Sequence, residues 1–147
     1  MLARTRCIHS AEKLIHASLL LIWQNMKALV IGINAYKFKH KLKNAVRDAR
    51  AFRDMLTEKG VQVIYGEDVT IEEFRALEKQ YEDALQKDDI GIVFFAGHAN
   101  TYLNATHLMT IAESECKITD HAINVYRLNL RFGSTKSCLT VRVQNCS

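Results

Sequence analysis

Three short apolar runs, separated by segments of helical period, constrain this chain more than any other feature. Ala28 to Ile33 (ALVIGI) is continuous in apolar residues and ends at Asn34, which reads as a buried strand. Leu42, Ala45, Val46, Ala49, Phe52 and Leu56 then recur at the spacing of one helix face, and Gly60 supplies the stop. Val61 to Tyr65 is a second short strand. Thr70 and Glu73 form a capping-box pair that opens a helix with Phe74, Leu77, Tyr81 and Leu85 on one side, until Asp88 and Asp89 break the pattern. Ile90 to Ala96 (IGIVFFA) is a third apolar strand, closed by Gly97 and His98. This order, β-α-β-α-β, predicts a mainly parallel sheet with right-handed crossovers, and so an α/β domain.

Beyond residue 100 the pattern thins. Thr119 and Asp120 stand where a helix carrying Ala122, Ile123, Tyr126 and Leu130 would start; Gly133 to Ser137 is turn-like, and Cys138 to Val143 alternates as a fourth strand. With 48% apolar and 24% charged residues in 147, the chain has the make-up of a folded domain and not of a disordered one. Leu14 to Trp23 is too short an apolar stretch to span a membrane, which takes about 20 residues. Residues 1–25 therefore read as an N-terminal extension, helical or targeting-like, and residues 26–147 as one domain. A cytoplasmic location is expected, with the mitochondrion as the alternative because Arg4 and Arg6 make the start of the chain basic.

The net charge of +4, with no single-sign tail, argues for neither nucleic acid nor a membrane surface as partner. The basic cluster Lys37, Lys39, His40, Lys41 and Lys43 reads as a solvated loop. Gly32 is not part of a phosphate-binding pattern, and no acidic cluster follows the first strand, so a nucleotide-binding or receiver domain is not supported. The four cysteines, at 7, 116, 138 and 146, form no CxxC pair and no zinc-type spacing with His. No metal or cofactor site is read, and a disulfide scaffold does not suit a chain of this size.

In open parallel sheets, ligands and catalytic groups gather at the carboxyl ends of strands. Strand one ends at Asn34, strand three at Gly97-His98-Ala99 and the proposed fourth at Gln144-Asn145-Cys146. A His and a Cys thus leave the same edge of the sheet. A thiol needs a nearby base or positive charge to become a good nucleophile, and His titrates near neutrality. His98 and Cys146 are therefore a candidate Cys-His dyad. Cys138 is a poorer second, and Cys116, which follows two acids, reads as a bystander.

KALVIGINAY, LKNAVRDARAF, GVQVIYGEDVT and IGIVFFAGHA, in this order and at these distances, resemble the caspase, metacaspase and paracaspase superfamily of cysteine peptidases. The resemblance is dense over Lys27 to Ala99 and thinner to about Leu130. It implies a three-layer caspase-like fold and places His98 where the family's catalytic His follows the third strand. The family's nucleophile comes roughly 50 residues further on, where Cys146 stands in Val143-Gln144-Asn145-Cys146.

By that resemblance Cys146 attacks a peptide carbonyl while His98 moves the protons, and the backbone N–H groups of Cys146 and Ala99 hold the oxyanion. The family usually has Gly after the His; Ala99 keeps the N–H but is disfavoured if the turn requires positive φ. Caspases cut after Asp using an Arg whose place here is taken by Leu42. Metacaspases and paracaspases cut after Arg or Lys, and Asp48 in NAVRDA matches one of their pocket acids, while Gln144 stands where a second is usual. Metacaspases are often calcium-dependent, though no calcium site is visible here. Family membership further implies a protein or peptide substrate and a role in cell-death or stress signalling. Family catalytic domains continue beyond the nucleophile, so the chain reads as the large-subunit part of such a domain, C-terminally truncated, with an edge strand for a second chain or protomer to cover. A truncated or degenerate module that binds without cutting is the alternative function.

Overall fold

The two uninterrupted apolar runs form the middle of the sheet, where a strand is covered on both faces and flanked on both sides. A computed structural model describes Ser18 and residues 22–102, 105–111 and 136–143. Its elements are β1 (Met26–Gly32), α1 (Ala45–Glu58), β2 (Gln62–Glu67), α2 (Ile71–Ala84), β3 (Ile90–Gly97), β4 (Ala99–Tyr102), β5 (Ala105–Leu108) and β6 (Lys136–Val143). The main sheet has the order β2-β1-β3-β6 with every pair parallel. Leu29 stands opposite Ile64 and Val93, and at the carboxyl edge Gly97 stands opposite Val143.

Connection direction decides the layers. α1 carries the chain outward from β1 to β2, and α2 carries it back past β1 to β3. Two right-handed crossovers in opposite directions put their helices on opposite faces. The period-two alternation of the inner strands agrees. Ala28, Val30, Phe94 and Ala96 pack with Ala45, Ala49 and Leu56 of α1. Leu29, Ile31, Val93 and Phe95 pack with Phe74 and Tyr81 of α2. The fold is thus the three-layer α/β arrangement expected. Phe52 stacks on Phe94 with ring centroids 4.5 Å apart, which fixes the angle of α1 on its side.

The helix ends are held by different means. α2 begins with the capping box read from the sequence: Glu73 N–H donates to Thr70 Oγ1 at 3.3 Å, and Thr70 N–H donates to the Glu73 carboxylate at 2.8 Å. Thr70→Ala is expected to cost about 1 kcal/mol and to lower the thermal midpoint by about 2–4 °C, read by circular dichroism; an unchanged midpoint would show that the box contributes nothing. α1 begins at Ala45, later than the apolar spacing from Leu42 suggests. Its N-cap residue Asn44 makes no side-chain cap, and Asn34 Oδ1, at the end of β1, accepts from Val46 N–H at 3.3 Å instead. At the other end Gly60 takes φ +82°, the left-handed stop that its place after the helix predicts.

At the β2 edge, the Arg50 guanidinium pairs with both oxygens of Glu67 and Tyr65 Oη donates to Glu67 Oε1 at 2.6 Å. The hydrogen bond from Arg50 holds the Glu67 carboxyl down at about 2. Burial first, and the Glu67 carboxylate second, push Tyr65 up to about 12.

The fourth strand starts at Lys136, two residues before the alternation at Cys138, and Cys138 pairs in register with Ile92. β4 and β5 form an antiparallel hairpin, with Ala99 opposite Leu108, that the sequence reading did not contain. Neither Asn-Gly nor Asp-Gly marks its turn, the strongest short-range hairpin signal. The helix expected from Thr119 lies outside the described residues, as do Cys7, Cys116, Gln144 and Cys146. No helix among the described residues is long and apolar enough to cross a membrane.

Candidate active site

β1 sends its connection toward β2, whereas β3 lies between β1 and β6, on the other side. The loops diverge between the carboxyl ends of β1 and β3, and that crevice is where an open α/β sheet binds and reacts. Two segments enter it: the loop that leaves β1 for α1, and Gly97-His98-Ala99.

His98 is 7% exposed and is held at its backbone and at its ring. Its N–H donates to Tyr36 Oη at 2.7 Å, the Tyr36 hydroxyl donates to Met109 O at 3.3 Å, and Met109 N–H returns to His98 O at 3.0 Å. The imidazole lies against the Tyr36 ring, centroids 4.5 Å apart and planes inclined by 57°. Its Nε2 is 2.8 Å from His40 O. A carbonyl oxygen can only accept, so in the neutral ring Nε2 carries the proton and Nδ1 carries the lone pair. This is the form a general base requires, with its orientation set by a main-chain group. Gly97 makes the arrangement possible, since a Cβ there would run into the Tyr36 hydroxyl and come within 2.8 Å of the Phe95 ring.

The loop from β1 is anchored along its length. Asp68 Oδ1 accepts from Asn34 N–H at 2.7 Å and from Ala35 N–H at 2.8 Å. Lys37 N–H donates to Ile111 O at 2.9 Å, and Leu42 N–H to Asn34 O at 3.0 Å. Between these ties the loop turns its charge outward. Lys37, His40, Lys41 and Lys43 are exposed, and Phe38 is 63% exposed among them. Apart from the half-buried Lys39, the basic cluster is solvated, as expected, and the inner side of the loop supplies the carbonyl that orients His98.

Of the other residues named from the sequence, Ala99, Asp48 and Leu42 fall at the same end of the sheet, Cys138 is the third residue of β6, near the opposite end, and Cys116, Gln144 and Cys146 lie outside the described residues. Ala99 opens β4 and packs, half-buried, against the α2-side core. Positive φ among described non-glycine residues occurs only at Asp68 and Asp88, so Ala99 follows His98 without the strain that a left-handed turn would impose. Asp48 lies in the first turn of α1, its side chain 19% exposed and 3.9 Å from Arg47 Nη2. Leu42 packs, partly buried, against both core clusters. Among the described residues no group of three or more His, Cys, Asp or Glu is placed to hold a metal ion. Tyr36, Asp68 and the His40 carbonyl were not read as site groups. Each acts through long-range main-chain contact, which leaves no local pattern.

A doubly wound parallel sheet with a buried histidine, oriented by a main-chain carbonyl, at its switch point defines an α/β domain with a candidate proton-transfer group at its carboxyl edge. The family model of the caspase domain, a peptidase family, matches residues 25–143. The chain belongs to the caspase-domain family. No curated protein matches it.

Proposed function

We propose that the chain is a cysteine-type endopeptidase in which His98 and Cys146 form the dyad. The observation that carries this reading is the fixed tautomer of His98, whose Nε2–H is committed to His40 O and whose Nδ1 is left to receive a thiol proton. Sheet register supports the pairing. Val143 is level with Gly97 on the adjacent strand, adjacent strands lie about 4.8 Å apart, and three residues beyond Val143 reach about 10 Å at most.

The reaction then proceeds by general base and nucleophilic catalysis. The Cys146 Sγ–H proton passes to His98 Nδ1 as sulfur bonds to the scissile carbonyl carbon. The oxyanion is met by the N–H groups of Ala99 and Cys146. Collapse breaks the C–N bond, and the imidazolium gives its proton to the departing amine. Water, deprotonated by His98 Nδ1, attacks the thioester and releases the acid and the thiol. For specificity, the partly accessible carboxyl of Asp48 and the apolar Leu42 favour a substrate with Arg or Lys before the cut, the metacaspase and paracaspase preference.

Peptides with Arg, Lys or Asp before the cut test the whole reading. Cleavage after Arg or Lys is expected, with loss of at least about 10³-fold in Cys146→Ala. If the unmodified chain cleaves none of the three while remaining folded, it is a binding module and not a peptidase.

A further inference from the structure

Asp68, the residue that follows β2, adopts φ +47°. That is the left-handed region, which Asp enters more readily than most residues but which the end of a regular strand does not require. Its N–H donates to Gly32 O at 3.0 Å, extending the β1–β2 ladder past Glu67. The left-handed turn then brings the carboxylate back over the end of β1. There a single oxygen takes two consecutive N–H groups, those of Asn34 and Ala35. Successive backbone N–H groups converging on an anion form a nest, and a charged acceptor makes such bonds stronger than neutral ones.

The residue next to this nest is Tyr36, 2% exposed, whose hydroxyl receives the His98 N–H. Four residues further along the same loop is His40, whose carbonyl receives the ring. The junction after β2 also holds the far side of the site. Val69 O accepts from Ile111 N–H at 3.2 Å, Ile111 O accepts from Lys37 N–H, and Met109 in the same segment bonds His98 at its carbonyl. Residues 68 and 69 therefore tie together the two segments that grip His98, without touching it.

We propose that Asp68 is a positioning residue: its carboxylate, by holding Asn34 and Ala35, sets the loop path that places the Tyr36 hydroxyl and the His40 carbonyl on His98. The inference rests on the reading of His98 as the base. The carboxylate acts as an acceptor, so Asn, which keeps an oxygen and tolerates the left-handed backbone, preserves the clamp. Gly keeps the backbone and removes the acceptor.

Nuclear magnetic resonance on the full chain tests this apart from activity. In the unmodified chain, couplings through the hydrogen bonds from the Asn34 and Ala35 nitrogens to Asp68 Cγ are expected, and the His98 ring nitrogens give one protonated and one bare signal. Asp68→Asn keeps the His98 ring spectrum, and kcat stays within about threefold. In Asp68→Gly the Asn34 and Ala35 amides exchange faster while those of β1 stay protected. The His98 ring signals then move toward a tautomer average, and kcat falls about 10–100-fold with KM nearly unchanged. Absence of the couplings in the unmodified chain overturns the proposal however the variants fold. So does an Asp68→Gly chain with β1 protected and the His98 ring spectrum unchanged. If no peptide is cleaved at all, the couplings and ring spectra still decide on the clamp, so its failure and that of the peptidase reading are told apart.

Discussion

Replacing His98 with Gln is expected to reduce peptide hydrolysis by about 10³-fold or more, with little change in the unfolding transition. The choice of Gln is what makes the result informative. Its amide N–H can donate to His40 O as the imidazole Nε2 does, and its backbone N–H still donates to Tyr36 Oη, so both contacts that seat the residue survive. What Gln lacks is a lone-pair nitrogen able to take a thiol proton. A histidine kept only to satisfy the His40 carbonyl and fill space beside Tyr36 would be rescued by this change. One that moves protons would not. Alkylation of Cys146 offers a second readout on the same variant: if His98 is the base of the proposed dyad, its loss slows thiolate formation near neutral pH. Hydrolysis within a few-fold of the unmodified chain would remove His98 from the chemistry.

Legibility in the sequence divides along the same line as the physics. Elements whose cause is local were read directly: the apolar runs of β1 and β3, the one-sided helix of α2, its capping box and the left-handed Gly60. His98 could be placed at the carboxyl edge because the edge follows from strand order and the residue follows a strand. The groups that seat His98 and set its tautomer were not legible. Tyr36 reaches Met109 and His98, Asp68 reaches back to Asn34 and Ala35, and His40 contributes only its carbonyl. A carbonyl has no residue preference, so nothing in the identity of residue 40 announces it. The start of α1 was misjudged for a related reason. Leu42 fits the helical spacing because it packs on the core from a loop, and the helix is capped by Asn34, twelve residues before Val46.

Gly32→Val is expected to destabilise the domain by about 3 kcal/mol, enough to lower the thermal midpoint by roughly 10 °C. The cause lies in how closely α1 sits on the sheet. A Cβ on Gly32 would stand 2.7 Å from Ala49 Cβ, 2.9 Å from Ala45 O and 2.9 Å from Val46 Cα. Two of these three neighbours are backbone atoms and the third is a methyl fixed to one, so no side-chain rotation relieves the contact. The helix must lift away from β1, and Ala45 and Ala49, both fully buried, lose their packing as it does. Lifting also draws the N-terminus of α1 away from Asn34 Oδ1, which bonds Val46. Because Asn34 belongs to the loop that orients His98, catalytic loss should accompany the loss of stability. Gly60→Ala supplies the contrast. Its Cβ would meet nothing within 4 Å, and only the left-handed backbone at φ +82° resists the change, a cost of about 1 kcal/mol with no path to the site. Urea unfolding followed by circular dichroism separates the two glycines. A Gly32→Val midpoint no lower than that of Gly60→Ala would mean that α1 is not seated against β1 as closely as these distances require.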